Sequence, residues 1–352
     1  MGNHLQKKIV TIGGGTGTFV VLSGLKRIPD VFLTAIVSVL DDGGSTGRLR
    51  DAYGFLPVGD ARQALIALAP LEKSRPPVAA EAQPSAGRSL TGRAKNGGAS
   101  TMRQLFEYRF SKGDIAGHNF GNLFLTALTD ILGSDAAAIE AASHILRVKG
   151  TVLPVSNEPA TLVATLENGE TITGEHSIDA RTTGRSPIAS LKTKEPVSIS
   201  DEARQAILAA DFIVLGPGDL YASTLAEFAV FGVMDALKNS KARIAYIVNL
   251  FTKAGQTDGF SASRHVEEVM KYTGRKPDAV IFHSGSFPQE VLNHYAAENE
   301  FPVADDLPQE SSVVRGSFAD VVLAQKVEGD TVPRSLVRHS SEKLASAIET
   351  LL

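Results

Sequence analysis

Short β-branched runs alternate along this chain with stretches of helical periodicity, and five of the runs end in turns rich in glycine or polar residues. Ile9-Val10-Thr11-Ile12 leads into Gly13-Gly14-Gly15-Thr16-Gly17, and Ala35-Ile36-Val37-Ser38-Val39-Leu40 into Asp41-Asp42-Gly43-Gly44-Ser45-Thr46-Gly47. Phe212-Ile213-Val214-Leu215 ends at Gly216-Pro217-Gly218-Asp219, Ile244-Ala245-Tyr246-Ile247-Val248 at Asn249-Leu250-Phe251-Thr252, and Ala279-Val280-Ile281-Phe282 at His283-Ser284-Gly285-Ser286. Such alternation predicts right-handed βαβ crossovers: an α/β, Rossmann-like, mostly parallel sheet with helices on both faces. In an open parallel sheet the strand C-termini share one edge, and ligands bind in the crevice there. Free backbone N–H groups at glycine turns and helix starts make that edge attractive to phosphate.

Two segments depart from the alternation. Residues 71–100 are dominated by Pro, Ala, Gly and Ser with scattered Lys and Arg, a composition that cannot offset the entropy of ordering; a flexible insert is expected. The Asn168-Gly169 step between β-prone runs predicts a small β-hairpin excursion in a subregion of about 151–196, ending in a polar stretch over 181–196. Helical periodicity predicts a first helix starting near Thr18, others over 102–110, 119–132 and 136–148, and an amphipathic helix over 341–352. The organisation expected is one α/β domain over 1–352.

Composition narrows the classes. With 352 residues, 43% of them hydrophobic, the chain can bury a large core. A formal net charge of −4 argues against nucleic acid as a partner, and the absence of cysteine excludes disulfides, thiolate catalysis and cysteine-bound zinc. The first eight residues lead straight into a strand with no signal-type apolar region. Gln6 stands where a myristoylation motif wants Ser or Thr, and no apolar run is long enough to span a bilayer. A cytoplasmic protein with no membrane partner is expected.

The candidate chemistry sits in the turns. Gly13, Gly14, Gly15, Thr16 and Gly17 form a phosphate or dinucleotide loop, although the dinucleotide spacing wants a third glycine where Thr18 stands. Adjacent carboxylates at Asp41 and Asp42 repel unless a cation or donors offset them, which suits Mg²⁺ shared with phosphates or a ribose hydroxyl. Gly44 and Ser45 continue that element, and Arg48 offers a bidentate fork. A helix cap would account for one Asp but not the pair. Asp60 fits an N-cap before a helix that carries Arg62 and Gln63 toward the cleft. Asn119 and Asn122 mark a polar helix mouth, Gly216, Gly218 and Thr224 repeat the strand–glycine–helix logic, and Asn249 and Thr252 lie in a polar loop at another strand end. No GxxxxGK[ST], GxSxG or HExxH is present, which removes P-loop NTPase, α/β-hydrolase and zincin readings.

Six strings in order, IGGGTG (12–17), DDGGSTGRLR (41–50), GDARQALIAL (59–68), GHNFGNLFL (117–125), GPGDLYAST (216–224) and NLFTKAGQTDGF (249–260), resemble the CofD/YvcK superfamily, and the second resembles its YvcK-like, gluconeogenesis-factor branch. Outside 71–100 the resemblance covers nearly the whole chain; Gln63 stands where the branch tends to carry Asn. The resemblance implies a Rossmann-like fold, usually a homo-oligomer. It implies a regulator that binds UDP-N-acetylglucosamine-type nucleotide sugars and affects growth on gluconeogenic carbon, wall-precursor supply and cell shape, with glucosamine-6-phosphate synthase as a regulated partner. In that branch an arginine near the C-terminus is tied to the UDP-sugar, and Arg338 matches it. The CofD branch implies the alternative: an Mg²⁺-dependent 2-phospho-L-lactate transferase acting on a deazaflavin acceptor, with Asp41 and Asp42 at the metal and substrate site. An NAD-binding module, from the first glycine loop, is the third reading.

Overall fold

All five apolar runs pair in one parallel sheet, joined by two further strands. The computed structural model describes residues 6–70, 101–182, 184, 186–321 and 337–352; the insert expected at 71–100 lies outside the described residues. The first half runs β1 (Lys7–Ile12), α1 (Gly15–Leu25), β2 (Val31–Val37), α2 (Gly44–Tyr53), α3 (Gly59–Leu68), α4 (Thr101–Glu107), α5 (Phe120–Leu132), α6 (Asp135–Leu146) and β3 (Thr151–Pro154). An excursion follows: β4 (Leu162–Leu166), β5 (Thr171–Thr173), α7 (Glu175–Asp179) and β6 (Ile188–Thr193). The second half holds α8 (Asp201–Leu208), β7 (Phe212–Leu215), α9 (Val233–Asn239), β8 (Arg243–Ile247), α10 (Ala262–Thr273), β9 (Ala279–His283), α11 (Gln289–Ala297) and β10 (Val313–Gly316). The small pair β11 (Ala319–Val321) and β12 (Val337–His339) precedes α12 (Ser341–Glu349).

The strand order is β10-β9-β8-β7-β1-β2-β3, and every neighbour is parallel. From β1 the chain moves outward to β2 and β3, then returns to β7 on the other side and moves outward again. The order therefore reverses between β1 and β7, where an open α/β sheet places its ligand crevice. Successive side chains on a strand point to opposite faces, and each face has its own core. Ile9, Leu33, Ala35, Phe212 and Val214 pack with α1, α3, α6 and α12. Val10, Ile12, Ile36, Ile213 and Leu215 pack on the other face with α8, α9 and α10. Each fully buried aliphatic side chain contributes roughly 1.5–3 kcal/mol, so the buried alternation holds the sheet between its helices.

Three expectations are corrected. The hairpin at Asn168-Gly169 forms, with Gly169 at φ +86, but it belongs to a three-stranded antiparallel sheet of order β5-β4-β6. The third strand lies inside the stretch read as polar, because only Ile188 and Leu191 of its six residues are buried. Within 151–196, moreover, β3 pairs with β2 in the main sheet. After Pro217 no α-helix starts: residues Leu220–Thr224 form one π-helical turn and Ala226–Ala229 a 3₁₀ turn, with the Ser223 and Thr224 amides both donating to the Asp219 carbonyl. And α1 begins at Gly15 rather than near Thr18, so the glycine turn is the start of the helix itself.

Two of its glycines are required by close approach. A Cβ on Gly17 would collide with the Pro217 backbone carbonyl, and one on Gly14 with the Asp60 carboxylate. The loops after β1 and β7 are thus in backbone contact. Gly17→Ala is expected to force them apart and lower stability by about 1–3 kcal/mol, the usual cost of overpacking, measured as a shift in urea midpoint. An unshifted midpoint would show that the contact is not tight.

Candidate functional site

At the strand C-termini a cleft of about 990 Å³ opens over the β1–β7 reversal. Its walls come from the two touching loops, from α3, from 107–111, from 249–253 and from β12. Of the residues singled out from sequence, Gly14, Gly15, Thr16, Gly17, Arg62, Gln63, Asn119, Gly218, Asn249, Thr252 and Arg338 lie on these walls. Asn119 also caps α5, its side-chain oxygen accepting from the Gly121 amide at 2.8 Å. The Asn249 amide group donates to the Gly218 carbonyl at 2.6 Å, tying the loop after β8 to the loop after β7. Arg338 has no ion-pair or hydrogen-bond partner for its side chain among the described residues.

The remaining candidates lie behind or beside the walls. Gly13 ends β1, its amide donating to Ile36, and Gly216 (φ +72) makes the turn below Pro217. Thr224 is buried, with its hydroxyl donating to the Gly218 carbonyl at 3.3 Å. Asp41 and Asp42 turn away from each other. One Asp41 oxygen accepts from the Gly43 amide at 2.8 Å, and Asp42 accepts from the His176 amide at 2.8 Å, docking α7 onto this loop. Neither Asp is the N-cap of α2; Gly43 is, with Gly44 the first helical residue. Ser45 and Asn122 are buried and act as braces: Asn122 donates to the hydroxyls of Ser45 and Thr46, both at 3.4 Å, and accepts from Arg62 Nε at 2.8 Å. The Ser45 hydroxyl also meets His118 Nδ1 at 3.0 Å. Arg48 is exposed beside Gly117, off the cleft wall. Short polar side chains next to glycines reach neighbouring groups readily, and this motif is tied into its surroundings in that way rather than lining the cleft.

Several cleft residues carry no local signal in the sequence. Asp179 arrives from the antiparallel excursion, Arg109 from the segment after α4, and Tyr295 and Glu300 from α11 and the turn after it. Asp60 had been read as a helix cap; Val58 holds that position, and the Asp60 carboxylate instead accepts from the Gly15 amide at 2.8 Å. It braces the glycine turn from beneath.

The site is rich in carboxyl groups withheld from water. Burial, and then repulsion from Asp41, pushes Asp60 up to about 7. Burial and Asp41 likewise push Glu175 up to about 9, so it carries a proton at neutral pH. Asp219 rises to about 7 through burial and the neighbouring Asp179. Burial alone would lower Lys253, but Asp219, Asp179 and Glu300 outweigh it and raise the ammonium. Its Nζ lies 3.4 Å from Glu300 and 3.9 Å from Asp179. One wall is therefore acidic around a single lysine. Among the described residues no group of three His, Cys, Asp or Glu side chains is placed to hold a metal ion. The Asp41–Asp42 pair, divided between two backbone amides, does not offer one by itself. No helix among the described residues is long and apolar enough to cross a membrane.

A parallel sheet that reverses order under a glycine turn, with an open crevice at that point, defines a Rossmann-like α/β protein with a cleft at its strand C-termini. The chain belongs to the CofD family, whose model, described as "2-phospho-L-lactate transferase CofD", matches residues 9–322. Relatives carry gluconeogenesis-factor names, as the second sequence motif implies. One from Thermotoga maritima, "Putative gluconeogenesis factor", is 37% identical and covers 98% of this chain and 99% of its own length. The Bacillus subtilis "Gluconeogenesis factor" is 33% identical over 99% and 98%. A solved UPF0052 family structure from Bacillus halodurans superposes with a TM-score of 0.79 at 34% identity, covering 97% of this chain and 99% of that one.

The position of Asp60 makes stability depend on pH. Its carboxyl titrates near 7 when folded against 3.8 when unperturbed, so the folded state holds the proton more tightly. That contribution is complete below the unfolded value and is lost as pH rises through about 7. Asp60→Asn, which keeps an acceptor for the Gly15 amide, is expected to flatten the decline in urea-unfolding free energy between acid and neutral pH. An unchanged slope would place the proton elsewhere.

Proposed function

We propose that this protein binds a UDP-sugar of the UDP-N-acetylglucosamine type across the cleft and acts as a regulator. It would affect carbon metabolism, wall-precursor supply and cell shape from the cytoplasm, through ligand-dependent change of shape or partner affinity rather than turnover. One observation carries this reading: Gly14, Thr16, Gly17, Gly218, Asn249, Thr252 and Arg338, from four separate segments, wall a single cleft. Its volume of about 990 Å³ is at the upper end of ligand pockets, room for a nucleoside diphosphate with a sugar. The amides of the two glycine loops suit the diphosphate, the acidic wall suits sugar or ribose hydroxyls, and Arg338, without a partner among the described residues, suits a phosphate or the uracil end. The relatives' gluconeogenesis-factor names support the metabolic role. A homo-oligomeric state and glucosamine-6-phosphate synthase as the regulated partner belong to the same reading.

The family description supports a second reading, a phospholactyl transferase acting on a deazaflavin. Catalysis there would rest on positioning and charge stabilisation. Mg²⁺ on Asp41 and Asp42 belongs to this reading alone. The NAD reading is weaker, because the acids after the second strand, which take a ribose hydroxyl in dinucleotide folds, do not line the cleft.

Calorimetric titration with UDP-N-acetylglucosamine, UDP-glucose, GDP, NAD and a deazaflavin, each with and without Mg²⁺, separates the three. Tight UDP-sugar binding without product is expected; a phospholactyl-deazaflavin product would overturn the regulator. Arg338→Ala is expected to weaken UDP-N-acetylglucosamine by roughly 10- to 100-fold, the worth of one charge-assisted hydrogen bond, with an unchanged melting midpoint. Equal affinity would remove Arg338 from the site.

A further inference from the structure

Besides its acidic groups, the cleft holds two arginines that no sequence motif pairs. Arg62, in α3, and Arg109, after α4, both line the cleft. Arg62 spends only Nε, on Asn122; among the described residues neither of its terminal nitrogens has a partner. Arg109 donates one nitrogen to the Gly117 carbonyl at 2.7 Å and makes no ion pair among the described residues. Burial lowers Arg62 to about 10, and Arg109 is the next cause, so the two guanidinium groups repel one another while both stay charged. Asp60 and Glu107 offset part of that repulsion without forming an ion pair to either arginine.

The fold pays to keep Arg62 there. A Cβ on Gly121 would collide with the Arg62 side-chain stem, so the start of α5 closes directly over it. Asn122, 3% exposed, holds Nε and is itself held by Ser45 and Thr46. A fork whose root is clamped and whose tips are free is preorganised for a planar or tetrahedral oxyanion, and preorganisation is where affinity is gained.

We infer that Arg62 and Arg109 form an oxyanion-receiving subsite, for a phosphate or carboxylate of the ligand, with Asn122 as its positioning residue. It rests on the nucleotide-sugar reading only for the identity of the ligand, and it orients that ligand, acid toward α3 and hydroxyls toward Asp179 and Asp219.

Titration calorimetry on the full chain with inorganic pyrophosphate, citrate and UDP-N-acetylglucosamine, beside thermal melts, tests it. Arg62→Gln is expected to weaken pyrophosphate tenfold or more with an unchanged melting midpoint, and Arg62→Lys to fall between, since a point charge cannot fork. Asn122→Asp puts a carboxylate against Nε that competes for the cation, so pyrophosphate weakens several-fold, beyond whatever loss of the Ser45 and Thr46 contacts does to the midpoint. A merely structural Asn122 would lower the midpoint and leave pyrophosphate affinity alone. If Arg62→Gln fails to fold, Arg109→Gln carries the same expectation. Loss of citrate as well as pyrophosphate binding assigns the subsite to carboxylates too; loss of pyrophosphate alone assigns it to phosphate. Unchanged pyrophosphate affinity in Arg62→Gln, or no binding of either anion by the unmodified protein, overturns the subsite. Pyrophosphate bound through Arg62 without any UDP-N-acetylglucosamine binding would leave the subsite standing and remove the UDP-sugar reading.

Discussion

Backbone-to-backbone contact between the loops after β1 and β7 is the constraint on which the rest depends. Only glycine at 17 lets the chain come against the Pro217 carbonyl, and only glycine at 14 leaves room for Asp60 beneath. A side chain at 17 would separate the loops, widening the reversal of the sheet into a gap, and one at 14 would displace the Asp60 carboxylate. Because the loops touch, they wall one crevice rather than two. The parallel register fixes the height of both loops: Ile12 of β1 sits opposite Leu215 of β7, so both turns leave the sheet at the same level.

Charged groups of both signs line the cleft around that contact. Asp179, Asp219 and Glu300 gather about Lys253, while Arg62 and Arg109 make no ion pair among the described residues. Carboxyl groups deprived of water keep their protons more readily, so Asp219, raised to about 7, is partly protonated near neutral pH and can donate as well as accept. A ligand with an anionic part and a hydroxyl-rich part matches such a cleft in one orientation.

The polar motif after β2 shows how local density of polar residues misleads about a site. From the sequence Asp41, Asp42, Ser45 and Asn122 suggest ligand contacts; within the protein Asp41 bonds Gly43, Asp42 bonds His176, Ser45 meets His118, and Asn122 bonds Ser45, Thr46 and Arg62. They hold α2, α5 and α7 together, and through Asn122 they aim an arginine. Conversely Asp179, Arg109 and Glu300 reach the cleft from segments with no motif at all. Their neighbours in sequence say nothing about what they meet, since the contacts span the excursion, the α4–α5 connection and the end of α11.

What the chain determined by itself was whatever depends on near neighbours. The continuous apolar runs of β7 and β9, the glycine turns and the Asn168-Gly169 reversal each express a backbone preference or a burial pattern a few residues long. Those preferences fixed the class of fold and the edge where the glycine loops would meet. Only the tertiary structure decided that β6 completes the small sheet, that no α-helix follows Pro217, and which side chains face the cleft rather than brace it. Burial and partner choice arise between segments far apart in sequence, and a side chain's role follows from which group packing brings to it.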